Sequence, residues 1–143
     1  MQSVIDLVKS VPAFGGRVDG AARLAELLDK KQLGQGPSPG AFVLPLGIDG
    51  GKAEAMAGMF IQGLVRLVGV LIVVRVHGDV TGAKGLIELE PLIDAVIGAI
   101  AGTDDDNAIG TFVLVKGELA SVDKGLLTYQ LDFAVDEQLR IAR

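Results

Sequence analysis

The clearest pattern along the chain lies near its C-terminus. Leu127, Tyr129, Leu131, Phe133, Val135, Leu139 and Ile141 share one parity, interrupted by Glu137, while Thr128, Gln130, Asp132, Asp136, Gln138 and Arg140 fall on the other. Such alternation predicts a strand with one buried and one polar face. Upstream, Leu67 to Val74 is an unbroken apolar run of eight residues, and it follows a stretch in which Gln62 and Arg66 share one face. That change predicts a central strand, from about Phe60 to Val76, that leaves a wet region and enters the core. Ala41 to Leu46 reads as a further strand, placed at an edge or bulged at Pro45 because proline has no amide donor. Thr111 to Ser121 completes a set of four, joined to the last strand by a turn at Asp123-Lys124-Gly125. Gly47 to Gly58, rich in glycine and alanine, predicts a flexible connection.

A different period appears elsewhere. Ser3 and Asp6 form an S-x-x-D helix start, with Val4, Ile5, Val8 and Val11 on one side and Pro12 as the stop. Gly15-Gly16 allows a turn, and Arg17-Val18 a short extended piece. Ala21, Leu24, Leu27 and Leu28 predict a second helix over about 20–31, with Lys30 and Lys31 on the last turn, where cations suit the helix dipole. Gly34 to Gly40 is a loop by its Gly, Pro and Ser content. A third helical stripe runs through Leu86, Leu89, Ile93, Val96, Ile97 and Ile100, with Pro91 either near its start or at a kink within it. The expected order is α-α-β-β-α-β-β in one domain spanning 1–143. The fold class is α+β: one mostly antiparallel four-stranded sheet with three helices packed mainly on one face.

The 143 residues suit one domain able to bury a core without covalent staples. Half the residues are apolar and mean hydropathy is +0.48, so the surplus of apolar surface needs cover. A membrane span does not supply it. The richest stretch, Ala55 to Val76, carries Arg66 in its middle, and a charge at mid-bilayer costs about 3 kcal/mol. The N-terminus shows no basic region or cleavage site of a secretory leader, which points to a cytoplasmic origin. The net charge of −5 argues against a protein built to grip phosphates. The absence of cysteine removes thiol catalysis, Cys-ligated zinc, iron–sulfur clusters and disulfides. A lone histidine removes most His-based sites. The expectation is a non-enzymatic protein with no cofactor.

The remaining chemical motifs are weak. Gly47 to Lys52 and Gly78 to Lys84 approach a phosphate-binding loop, but each fails its spacing, and Ala53 stands where a hydroxyl should follow the first lysine. Asp104-Asp105-Asp106-Asn107 gathers oxygens, yet Ala108 and Val115 break the calcium-loop register. His77 and Asp79 could form an acid–base couple; a histidine capping a strand end is the plainer alternative. Glu88, Glu90 and Asp94 share a helix face that favours acids anyway. Arg66 and Arg75, on an apolar strand, must each reach solvent or a carboxylate, across a subunit boundary or on a polar sheet face.

Three segments carry a resemblance: VPAFGGRVDGAARLAEL at 11–27, AFVLPLG at 41–47 and GELASVDKGLLTYQLDFAVDEQLR at 117–140. In these, and over nearly its whole length, the chain resembles the tail terminator (tail completion) proteins of long-tailed bacteriophages, particularly the Mu-like group. The resemblance implies a structural subunit of a homo-hexameric ring at the head-proximal end of the virion tail, assembled in the host cytoplasm. It implies that the ring caps the major tail tube protein, stops polymerisation and offers a surface to the head–tail connector. Genomic DNA would pass through its channel without specific binding. Alternatives are another neck or head–tail joining protein, or a small ligand-binding domain or enzyme around His77 and Asp79. On the ring reading, Met56, Met59, Gln62, Leu64, Arg66 and Arg75 are the expected subunit or tube contacts. Asp104, Asp105, Asp106, Asp132 and Asp136 are the expected acids of the DNA channel.

Overall fold

A computed structural model describes residues 2–78, 82–105 and 108–143. The elements are α1 (Gln2–Lys9), a 3₁₀ turn (Pro12–Phe14), β1 (Val18–Gly20), α2 (Ala21–Asp29), β2 (Gly40–Met56), β3 (Met59–Arg75), α3 (Ala83–Ile100), β4 (Val113–Asp123) and β5 (Leu126–Ala142). The strands form one mixed sheet in the order β1-β2-β3-β5-β4. The expected four-stranded sheet is therefore corrected to five strands. The extra one is the short extended piece after Gly16, which pairs in parallel with β2 as Val18↔Ala41 and Gly20↔Val43. Three residues are too few for alternation to announce a strand; β2 alongside is what makes it one. All other pairings are antiparallel.

The helix placement is also corrected. α1 and α3 cover one face: Val4, Val8, Leu89, Leu92, Val96 and Ile100 pack against Val43, Val68, Val70, Ile72, Val74, Leu127, Leu131, Phe133 and Val135. α2 lies on the other face, where Leu24 packs with Phe42 and Val73, flanked by Leu27, Leu71 and Leu126. The alternation of β5 explains the first face. Its odd residues enter the core, while Thr128, Gln130 and Asp132 point to the second face. β3 is apolar at both parities here because each face has a helix to bury against. α3 runs through Pro91 as one helix.

The largest departure concerns 47–58. These residues are not a flexible connection: β2 continues to Met56, and Ala57-Gly58 form the turn, with Met56 paired to Met59. Both turn residues are left-handed, at φ 52° and 79°, as a two-residue type I′ hairpin requires. Lys124 and Gly125 close the β4–β5 hairpin in the same way, at 50° and 81°. β2 is irregular, with register shifts between Pro45 and Gly47 and between Gly50 and Ala53. Pro45 thus sits at a bulge and beyond the last pairing of β1, where a missing donor is tolerated.

Candidate assembly surface

β3 and β5 are each 17 residues long, an extended reach of roughly 50 Å, far more than the helices cover. Their covered half ends near Val68. Beyond it, β2, β3 and β5 form a three-stranded ribbon. Every residue of β2 from Pro45 to Met56 is exposed, and β3 is only half-buried from Phe60 to Leu67. The hairpin tip presents Met56 and Met59 side by side. Gln62, Leu64 and Arg66 line the ribbon face that continues the α1/α3 side, and Gln62 Nε2 donates to Gly51 O at 3.1 Å, holding the second bulge. Arg75 is apart from these. It ends the opposite end of β3 on the α2 face, beside a cleft of about 190 Å³ also lined by Arg17, Arg23 and Leu27, and its amide donates to Ser38 Oγ at 2.9 Å.

Arg66 finds its carboxylate within the chain. Its Nε donates to Glu137 Oε1 at 2.9 Å, diagonally across the β3–β5 ladder, with the glutamate side chain 8% exposed and the arginine 36%. This bond raises the guanidinium pKa above its usual value, against an opposing push from burial, with smaller help from the charges of Glu137 and Asp105. Glu137 is the residue that breaks the apolar parity of β5. The interruption is visible in the sequence, and its partner is signalled there only by a basic residue, Arg66, on the apolar parity of the neighbouring strand. The loop after α3 comes down on this pair, as Ala108 bridges Glu137 and the Ile109 amide donates to Asp136 O at 2.9 Å.

The acids expected in a channel fall on two sides of the sheet. Asp132 and Asp136 project from β5 on the α2 side, Asp132 half-buried and accepting from Gln130 Nε2 at 2.8 Å, Asp136 exposed. Asp104 and Asp105 belong to the loop after α3. Asp104 is exposed, and Asp105 accepts from Ser3 Oγ of α1 at 3.2 Å. Asp106 lies outside the described residues, as does Asp79 of the His77 couple. His77 is exposed in the turn that follows β3.

One feature was not anticipated. β4 is exposed along its entire length, including the large apolar residues Val113, Leu114, Val115, Leu119 and Val122. It borders the sheet, and among the described residues it pairs with β5 alone and no helix packs over it. A long apolar edge with free amides and carbonyls is a template for another strand. Among the described residues no helix is long and apolar enough to cross a membrane. Much of the surplus apolar surface noted in the sequence lies here and on the ribbon, with Leu28, Leu86, Ile87 and Ile109 exposed elsewhere.

A comparison with curated proteins gives no match. Among solved structures the chain is similar to one in the virion of a native gene transfer agent (GTA) particle, with TM-score 0.55 and 18% identity over 92% of this chain and 84% of that one. That likeness is one of fold. The family model described as phage tail terminator protein matches residues 1–143. With its whole length matched, the chain belongs to the phage tail terminator protein family.

Proposed function

We propose that this structural tail protein works as a ring subunit, six copies closing around the head-proximal end of the tail tube to stop its polymerisation and receive the head connector. The resemblance carried by the segments at 11–27, 41–47 and 117–140 supports reading it with the Mu-like group of long-tailed phages. One observation carries the ring reading: two uncovered strand borders, β4 and the β2 side of the ribbon, lie on opposite sides of one sheet. A heterologous ring joins two different patches of the same subunit, and its closure removes both borders. In this ring Asp132 and Asp136 face the channel, where like charge keeps sliding DNA from sticking.

Light scattering and negative-stain microscopy test the ring, on the free protein and on protein mixed with assembled tail tubes. Closed rings of six, and tubes that stop growing once capped, are the expected result. A chain that stays single on its own and does not bind tube ends overturns the proposal. A ring that binds the connector but leaves tubes uncapped would instead identify a neck protein. Particles carrying Asp132→Lys with Asp136→Lys should assemble but eject DNA poorly; unchanged ejection removes these acids from the channel.

A further inference from the structure

We propose that neighbouring copies join by direct strand pairing, β4 of one copy against the open border of β2, residues 48–56, of the next. This deepens the ring reading and rests on it. Three independent features of the chain agree on the pairing.

The first is polarity. β2 and β5 run one way and β3 and β4 the other. When copies repeat around an axis with the sheet keeping its orientation, β4 meets the next β2 antiparallel, the stronger geometry. β1 covers only Ala41 to Val43 of β2, and among the described residues no strand pairs along the rest of that border, where Gly51 O accepts from the Gln62 side chain.

The second is charge. Each border carries an ion pair two residues apart, in the same Lys-x-Glu order along the chain: Lys116–Glu118 at 3.2 Å on β4 and Lys52–Glu54 at 3.8 Å on β2, all four side chains exposed. Antiparallel pairing sets Lys116 opposite Glu54 and Glu118 opposite Lys52, exchanging two solvated pairs within strands for two pairs across the joint.

The third is the face on which each residue lies. Lys116 and Glu118 pair with Asp132 and Gln130, on the α2 side of the sheet. Glu54 pairs with Ile61 on that same side, and Lys52 reaches Glu54. In the register that matches the charges, the shift in β4 between Leu119 and Ser121 comes opposite the shift in β2 between Gly50 and Ala53. Val122 then meets Ile48, both exposed and both on the α1/α3 side. The joint therefore buries apolar residues on one side and closes ion pairs on the other. Glu118 is level with Leu71 of its own β3, whereas Ala53 is level with Gln62. Each copy is thus displaced along the strands relative to the last, giving the stagger that closed sheets need.

The chain has no cysteine, so paired cysteines can be introduced without background. Full-length protein carrying Lys52→Cys with Glu118→Cys, oxidised after assembly, should give disulfide-linked ladders up to six chains, whereas either single variant should not. Reversal of charge on one border, Lys116→Glu with Glu118→Lys, should raise the concentration needed for rings by about tenfold. Adding Lys52→Glu with Glu54→Lys should restore it. Rings without cross-links and indifferent to the reversal overturn strand pairing and leave the ring standing. No rings from the unaltered protein, alone or on tube ends, overturns both.

Discussion

Arg66 and Glu137 meet diagonally across β3 and β5 at 2.9 Å, on the margin between the helix-covered half of the sheet and the bare ribbon. The pair closes the core at a point where β5's apolar face would otherwise meet water. Breaking it from one side strands a nearly buried carboxylate. Arg66→Met should destabilise the free subunit by about 2 kcal/mol, held below the cost of a fully buried pair because the arginine is partly exposed. Arg66→Met with Glu137→Leu should recover to within about 1 kcal/mol of the unaltered chain. Urea unfolding of all three proteins checks this, and equal losses in the single and double variants would show that the pair's geometry matters less than the arginine stem's packing.

The β2–β3 turn offers a gain. Ala57 holds φ 52° beside Gly58, in a turn type that prefers Asn-Gly. Ala57→Asn should stabilise by about 0.5–1 kcal/mol, visible as a higher melting temperature. A drop would mean that the tip does not keep its left-handed pair in solution.

Core and border residues should separate cleanly in their effects. Ile72 is fully buried, and Ile72→Ala should cost about 2–5 kcal/mol of subunit stability. Leu119 is 42% exposed on β4, and Leu119→Lys should change stability by less than about 0.5 kcal/mol while suppressing assembly. Denaturant titration beside light scattering reads both quantities. A destabilised Leu119→Lys subunit would contradict the exposed position of β4.

Glu26 on α2 bonds Lys30 and Arg23, each at 3.1 Å, and these two hold its carboxyl below the ordinary value, Lys30 more than Arg23. A depressed folded pKa stabilises above the unfolded value, and the benefit fades as pH falls through the folded one. Its window is therefore acidic, below the usual carboxylate range of about 4. An NMR titration of Glu26 should show the low midpoint, and Lys30→Gln should raise it, with Arg23 still holding it below the ordinary value. The Arg66 shift runs upward, so that guanidinium stays charged at every pH reached in such experiments.

Legibility from sequence followed side-chain periodicity. β5 could be read almost residue by residue because one face is packed by helices and the other is not. β3 announced its buried half through Val70 to Val74. β1 could not be seen, since its strand character comes from β2 beside it and three residues carry no period. β2 beyond Pro45 was missed for another reason: on a ribbon with no helix above it, Gly50, Gly51, Ala53 and Ala55 alternate nothing, and two bulges break the parity. The position of α2 on the far face follows from a crossover through β1 that had not been recognised. Arg66 is engaged inside the chain, and Arg75 stands at the other end of β3 from Met59. The apolar residues of β4 look like ordinary strand material until the sheet order makes it the last strand.

The interruptions in β2 and β4 have a further consequence for the protein before it finds its place. Bulges coil the backbone and spoil the flat, uniform spacing on which fibrils grow. On the proposed strand pairing, only a neighbour whose own irregularities fall in step would zip onto these margins.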